Sequence, residues 1–244
     1  MARYDTIGRG YAGRRRPDAR IAAALHAYLR GNQRILNIGA GTGSYEPAWP
    51  GVVAVEPSRT MIGQRPAGAA PVVQGVAESL PFADDSFDLA MGVLTLHHWS
   101  DWRQGLREAL RVAGGRVVLL TWFDFTTPFW LCDYFPQIHE LDRPLFPGAG
   151  DLADTLGEIE VQTVPVPHDC SDGFLCAYWR RPQAYLDPAV RASISTFARI
   201  PDPEGALQRL RHDLDSGDWD RRYGDLRALG ECDYGYRIVS TVTG

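Results

Sequence analysis

Apolar positions along this chain follow two periods. Residues 18–30 place Ile21, Leu25 and Leu29 at helical spacing behind Asp18, a residue type that caps helix starts, and Gly31 and Asn32 end the run. Arg34 to Ile38 is then a short apolar run followed at once by glycines, which predicts a buried strand. Val52 to Val55, Val72-Val73, Phe87 to Leu94 and Arg116 to Trp122 predict four more, with a helix over 101–112 before the last of them. Strands alternating with helices or loops predict an α/β fold: a doubly wound, mostly parallel sheet covered on both faces. Later the alternation breaks. Glu158 to Val166 and Tyr236 to Val242 read as a sixth and a seventh strand, and roughly 70 residues of helical pattern lie between them. That stretch carries Phe174, Tyr178, Trp179, Tyr185, Phe197, Trp219 and Tyr223.

Composition narrows the class. The chain has 244 residues, 45% of them apolar and 23% charged, enough for one globular domain with a large insertion. The expected division is a core of 1–167 plus 231–244 and a helical cap over 168–230. A net charge of −5 argues against a broad nucleic-acid footprint. All 25 basic residues are arginine, a bias of coding rather than of chemistry. The one basic run, Arg14-Arg15-Arg16, reads as a solvated face or a helix start. Cys132, Cys170, Cys176 and Cys232 lack zinc-site spacing and read as free thiols. The first residues lack the apolar stretch of a signal peptide, and no run approaches the ~18 apolar residues of a membrane span, so the expectation is a cytoplasmic protein without membrane insertion.

The strongest chemical signal is Ile35-Leu36-Asn37-Ile38-Gly39-Ala40-Gly41-Thr42-Gly43, a strand running into a turn with glycine at alternate positions. Glycine lets the backbone take positive φ and lets a ligand approach without a Cβ. Ligands in open α/β sheets sit at the carboxyl ends of such strands. The second strand ends in Glu56-Pro57-Ser58, and an acid about 17 residues past the first glycine can accept both ribose hydroxyls of any adenosine cofactor. A dinucleotide loop places its third glycine three positions after the second. Here Ser44 holds that position and Gly43 comes one residue early, so the loop is shaped for something other than a pyrophosphate.

Together with GVAESLPFADDSFDLAMGVLTLHHW and LREALRVAGGRVVLLTW, these stretches resemble the class I S-adenosylmethionine-dependent methyltransferases, in the group of small-molecule enzymes similar to the ubiquinone-biosynthesis methyltransferases. The resemblance covers roughly residues 34–122 and implies a seven-stranded Rossmann-like sheet that binds S-adenosylmethionine and releases S-adenosylhomocysteine. It implies that Gly39, Ala40, Gly41 and Gly43 pass under the methionine end, that Glu56 holds the ribose, and that Pro57, Ser58 and Met61 flank the adenine. Val76 and Ala77 then meet the adenine edge, and Leu94 lines the methionine side. Tyr4 and Tyr11 resemble a segment that folds over the cofactor. Two departures stand out. Val76 replaces an aspartate that accepts from the adenine amino group, leaving the backbone or Glu78 to do so. Asn37 replaces an aspartate common in the first strand, keeping an acceptor without the charge.

Methyl transfer from a sulfonium is an in-line displacement, in which alignment and exclusion of water do most of the work. A base is needed only for a protonated nucleophile. His97 and His98 follow the fourth strand at the ligand edge, and an imidazole, with an ordinary pKa of ~6.5, suits that role. Packing or capping of the next turn is the competing role for both. No metal site is expected. The sixth strand is expected to run parallel, so the insertion after it emerges over the cofactor mouth. Its aromatics then face a substrate pocket or form the cap's own core. His168 to Phe174 carries polar groups that either point inward or turn the chain and cap a helix at Ser171 or Asp172. The function that follows is methyl transfer to a small apolar or aromatic molecule; the alternatives are a cofactor-binding homologue that does not methylate, or a decarboxylase or cyclase that holds the cofactor passively.

Overall fold

The computed structural model describes residues 15–123 and 125–242. Its main strands are β1 (Ile35–Ile38), β2 (Val52–Glu56), β3 (Val72–Gln74), β4 (Leu89–Val93), β5 (Val117–Trp122) and β6 (Ile159–Thr163). After β6 come the two-residue strands β7 (Val166–Pro167) and β8 (Glu231–Cys232), and then β9 (Tyr236–Thr241). Seven of them form one sheet in the order β3-β2-β1-β4-β5-β9-β6, while β7 and β8 pair separately. Strands β1 to β5 pair in parallel, and β9 runs antiparallel to both neighbours, as the seventh strand of the expected fold does. The order reverses between β1 and β4, which opens a crevice at their carboxyl ends.

Alternate residues of each strand feed opposite faces. Ile35, Leu89, Met91, Val118, Leu120 and Ile238 pack into one buried cluster. Leu36, Ile38, Ala90, Val117, Leu119 and Val239 pack into the other, against Leu106, Ala109 and Val112 of the helix Trp102–Val112. Element ends shift by a few residues from the sequence pattern. The first described helix is Ala19–His26, with Asp18 accepting from the Arg20 amide, and Tyr28 and Leu29 close tighter turns onto Leu25 and His26 instead of extending it. Among the described residues, no helix is long and apolar enough to cross a membrane.

The insertion between β6 and β9 does leave from the carboxyl edge of the sheet, and it does not stand alone. The helices Leu131–Tyr134 and Gln137–Asp142, which follow β5, pack into the same core cluster. Trp130 donates to the Trp179 carbonyl at 2.8 Å and meets Trp219 edge-on. Trp179, Tyr185 and Trp219 are fully buried, so these aromatics are the cap's own core. Of the seven aromatics in the insertion, Phe174 is the one that lines either cavity described below.

Two polar readings of the sequence are corrected. Arg15 is a clasp rather than part of a solvated run, since its Nε donates to Asp172 at 2.6 Å. Asp172 is 0% exposed and serves as the partner of that guanidinium rather than as a helix cap. It also accepts from the Tyr45 hydroxyl at 3.0 Å. A buried carboxylate demands such partners, and they tie the start of the insertion to the end of the glycine loop. Next to it, Asp18 accepts from the Ser171 amide at 3.1 Å, and the Arg20 guanidinium holds the Asp18 carboxyl well below its ordinary range.

Candidate active site

A cavity of about 310 Å³ opens at the switch point, lined by the turn after β1, the end of β2, the segment 75–78 and the turn after β4. Gly39, Gly41 and Gly43 all take positive φ, but each for its own reason. A Cβ on Gly39 would lie 2.0 Å from Thr95 Oγ1, inside the protein. One on Gly43 would meet Glu46 Oε2 at 3.1 Å and Arg65 Nη1 at 3.4 Å. One on Gly41 would meet only the flexible Met61 Cε, at 3.3 Å, and otherwise faces the cavity. Gly39→Ala is therefore expected to destabilise the fold by about 2–4 kcal/mol, from overpacking plus a left-handed side chain. Gly41→Val is expected to keep a native circular dichroism spectrum while losing cofactor binding. Denaturant titration and calorimetry check both, and equal behaviour of the two variants would show that the loop glycines serve one purpose.

Glu56 ends β2 and is 5% exposed. It accepts from the Gly41 amide and from the Ser58 amide, each at 2.8 Å, so it braces the loop while facing the cavity. Ala40, Pro57, Met61, Val76, Ala77, Glu78 and Leu94 line the cavity with it. Gly43 and Ser58 do not: Gly43 makes room for the Glu46–Arg65 pair, and Ser58 caps the helix Arg59–Ile62 through the Met61 amide. Tyr4 and Tyr11 lie outside the described residues. Glu78 is committed to the turn after β4, since one oxygen accepts from the Ser100 amide at 2.6 Å, its hydroxyl at 2.7 Å and the Asp101 amide at 3.1 Å. Burial pushes its carboxyl up, yet these hydrogen bonds prevail and hold it below its ordinary value.

The turn after β4 begins with Leu94 at φ +48° and continues as a 3-10 helix, Leu96–His98. It carries three cavity residues that the sequence pattern did not single out: Thr95, Trp99 and Ser100. Trp99 donates to Thr95 Oγ1 at 3.2 Å and fits because residue 105 is glycine, where a Cβ would lie 2.4 Å from the indole. That glycine inside an amphipathic helix was the available signal. Asn37, noted in the sequence as a departure from the family pattern, also lines the cavity, and so do Tyr45 and Arg15, which the sequence pattern does not single out as site residues.

A second cavity, of about 40 Å³, adjoins the first. Arg15, Leu94 and His98 line both, whereas His97 lines the second alone and stacks on Phe146 at 4.5 Å. Trp122, Phe174 and Tyr236 supply aromatic walls, and Asp142, Ser195 and Thr196 supply polar groups. Burial pushes the Asp142 carboxyl above its ordinary value, although Thr196 and Arg199 pull the other way. Among the described residues, no cysteine lines either cavity. Burial pushes the Cys132 and Cys170 thiols up to about 12, which keeps them protonated at neutral pH.

Comparison with known proteins gives the chain's family. The methyltransferase domain family matches residues 36–119. An uncharacterised methyltransferase of Bacillus subtilis is 36% identical over 107 residues, 38% of this chain and 42% of that protein. A demethylmenaquinone methyltransferase of Paenarthrobacter aurescens is 36% identical over 106 residues, 40% of this chain and 42% of that protein. The chain thus spans less than half the length of these two curated relatives. A crystal structure from Anabaena variabilis, described as a methyltransferase from an antibiotic biosynthesis pathway, superposes with a TM-score of 0.87 at 37% identity, over 94% of this chain and 99% of that one. The chain belongs to the class I S-adenosylmethionine-dependent methyltransferases.

Membership in the methyltransferase family implies S-adenosylmethionine as cofactor, and the larger cavity fits that molecule on its own features. Glu56 offers carboxylate oxygens where a ribose would sit. Val76, 46% exposed at the cavity, is an apolar surface that an adenine edge would cover. Asn37 Oδ1 is buried beside the loop and has no hydrogen-bond partner among the described residues, an acceptor that awaits a donor.

Proposed function

We propose that this methyltransferase moves a methyl group from S-adenosylmethionine to a small apolar or aromatic acceptor seated in the second cavity. The observation that carries the reading is that Leu94 and His98 line both cavities, so the two ligands would meet across the turn after β4. The larger cavity then takes the cofactor: Gly39, Ala40 and Gly41 under its methionine end, Glu56 on the ribose, and Pro57, Met61, Val76 and Ala77 around the adenine. When bound, the cofactor supplies an electrophilic methyl on a sulfonium. The chain's residues hold the acceptor in line, exclude water and receive its proton where it carries one. In this reading His98 takes that proton and orients the acceptor, supported by its lining both cavities, and His97 shapes the wall behind it. The aromatic walls formed by Trp122, Phe146, Phe174 and Tyr236 support a small apolar or aromatic acceptor.

The second cavity is small, about 40 Å³, and a movement of the cap would widen it for the acceptor. Residues 168–230 act as that lid in this reading, with the helices after β5 as its inner partner. Methyl-labelled S-adenosylmethionine incubated with the protein and a fraction of small hydrophobic metabolites should give a labelled, extractable product. Cofactor binding with no label transferred to any acceptor class would instead support a homologue that holds the cofactor without methylating.

A further inference from the structure

Beneath the glycine loop lies an ion pair that lines neither cavity. Arg65 Nη2 donates to both oxygens of Glu46, at 2.8 and 2.6 Å, and each side chain is only 5% exposed. The pair reaches two parts of the loop. Arg65 Nη1 donates to the Gly41 carbonyl at 3.3 Å, and Glu46 Oε1 accepts from Asn37 Nδ2 at 3.1 Å. A Cβ on Gly43 would crowd this pair, and the φ of +93° there favours glycine as well.

The contact with Asn37 sets the direction of its amide. A carboxylate can only accept, so the Asn37 NH2 must face Glu46 and Oδ1 must face away. That oxygen is the buried acceptor without a partner among the described residues, in a residue 1% exposed that lines the cofactor cavity. We propose that Glu46, anchored by Arg65, is a positioning residue that fixes the Asn37 amide so that Oδ1 accepts from the α-ammonium group of S-adenosylmethionine. The negative charge of the pocket floor thereby sits on residue 46, one layer behind the ligand, and residue 37 must be an amide. An aspartate at this position would set two carboxylates about as close as the present 3.1 Å contact, with no proton between them.

The inference rests on the larger cavity being the cofactor site, and two ligands keep the ideas apart. S-adenosylhomocysteine carries the ammonium, and methylthioadenosine lacks the whole amino-acid end. In Glu46→Gln the new amide NH2 can face Asn37, which then flips and turns its own NH2 toward the ammonium. Calorimetry should show S-adenosylhomocysteine weakened about tenfold or more, the worth of one charge-assisted hydrogen bond, with methylthioadenosine within twofold of the parent. Asn37→Ala, which leaves the ion pair intact, should show the same split and serves if Glu46→Gln folds poorly. The exchange Asn37→Asp with Glu46→Gln should recover S-adenosylhomocysteine binding to within about threefold, because the amide now at position 46 donates to the carboxylate now at position 37, whose other oxygen faces the ligand. Equal loss of both ligands, no loss of either, or no recovery in the exchange would overturn the proposal. If the parent protein binds neither ligand, it is the cofactor-site reading that fails.

Discussion

Replacing Glu56 by alanine should weaken S-adenosylmethionine by about 100-fold or more. Hydrogen bonds to a charged acceptor are worth about 1.5–3 kcal/mol each, and a ribose offers two hydroxyls to this carboxylate. The structure adds a second loss. Glu56 holds the Gly41 and Ser58 amides, so its removal also frees the loop that the methionine end would rest on. Those two amides lose their partner, and the melting temperature should fall while the fold survives. Glu56→Gln separates the contributions. Its amide keeps one acceptor oxygen but turns a donor toward one of the two amides, so it should bind better than alanine and well below the parent. Calorimetric affinity of Glu56→Ala within twofold of the parent would sink the assignment of this cavity.

A loss of turnover of about 10²–10⁴-fold is expected for His98→Ala, the range of general-base assistance, with cofactor affinity nearly unchanged. The basis is positional: His98 lines both cavities, and its short helix is held by Leu96 in the core and by the His98 amide on the Thr95 carbonyl at 2.8 Å. His98→Gln keeps a hydrogen-bonding group of similar reach but cannot take a proton. If proton transfer matters, glutamine should be as slow as alanine, and the pH–rate profile of both should lose an ionisation that the parent shows. If orientation matters, glutamine should recover most of the rate. Wild-type turnover in both variants would mean that proximity alone suffices and His98 only packs. His97→Ala is the control: stacked on Phe146 and lining the second cavity alone, it should alter acceptor affinity more than the pH profile.

Much of the fold was legible because it is written in local periods. The strands β1, β2, β4, β5 and β9 lie within a residue or two of their apolar runs, since a strand buried on both faces is apolar along most of its length. Strand β6 was overextended: the run over 158–166 divides into Ile159–Thr163 and Val166–Pro167, which pair with different partners. The glycine turn at the switch point was equally plain, because glycines at Gly39 and Gly41 and an acid at the end of β2 are backbone and spacing requirements. What escaped notice were residues whose role depends on a partner far along the chain. Arg15 reads in sequence as one of three solvated arginines, but Asp172, 157 positions away, is buried against it. Trp99 and Thr95 became cavity walls through Gly105, and Asn37 gained its orientation from Glu46 and Arg65.

The division has a physical cause. Hydrophobic period, glycine spacing and the acid after β2 act within one element or one turn, so the amino-acid order alone determined the mostly parallel sheet, its switch point, and the glycine turn and acid that meet there. Burial of a charge and the closing of a cavity are decided by which distant segments meet. Tertiary structure alone therefore decided that Gly43 lies beside a buried ion pair, and that the insertion's large aromatics fill its own core. It also decided that His98, rather than His97, stands where two cavities share a wall.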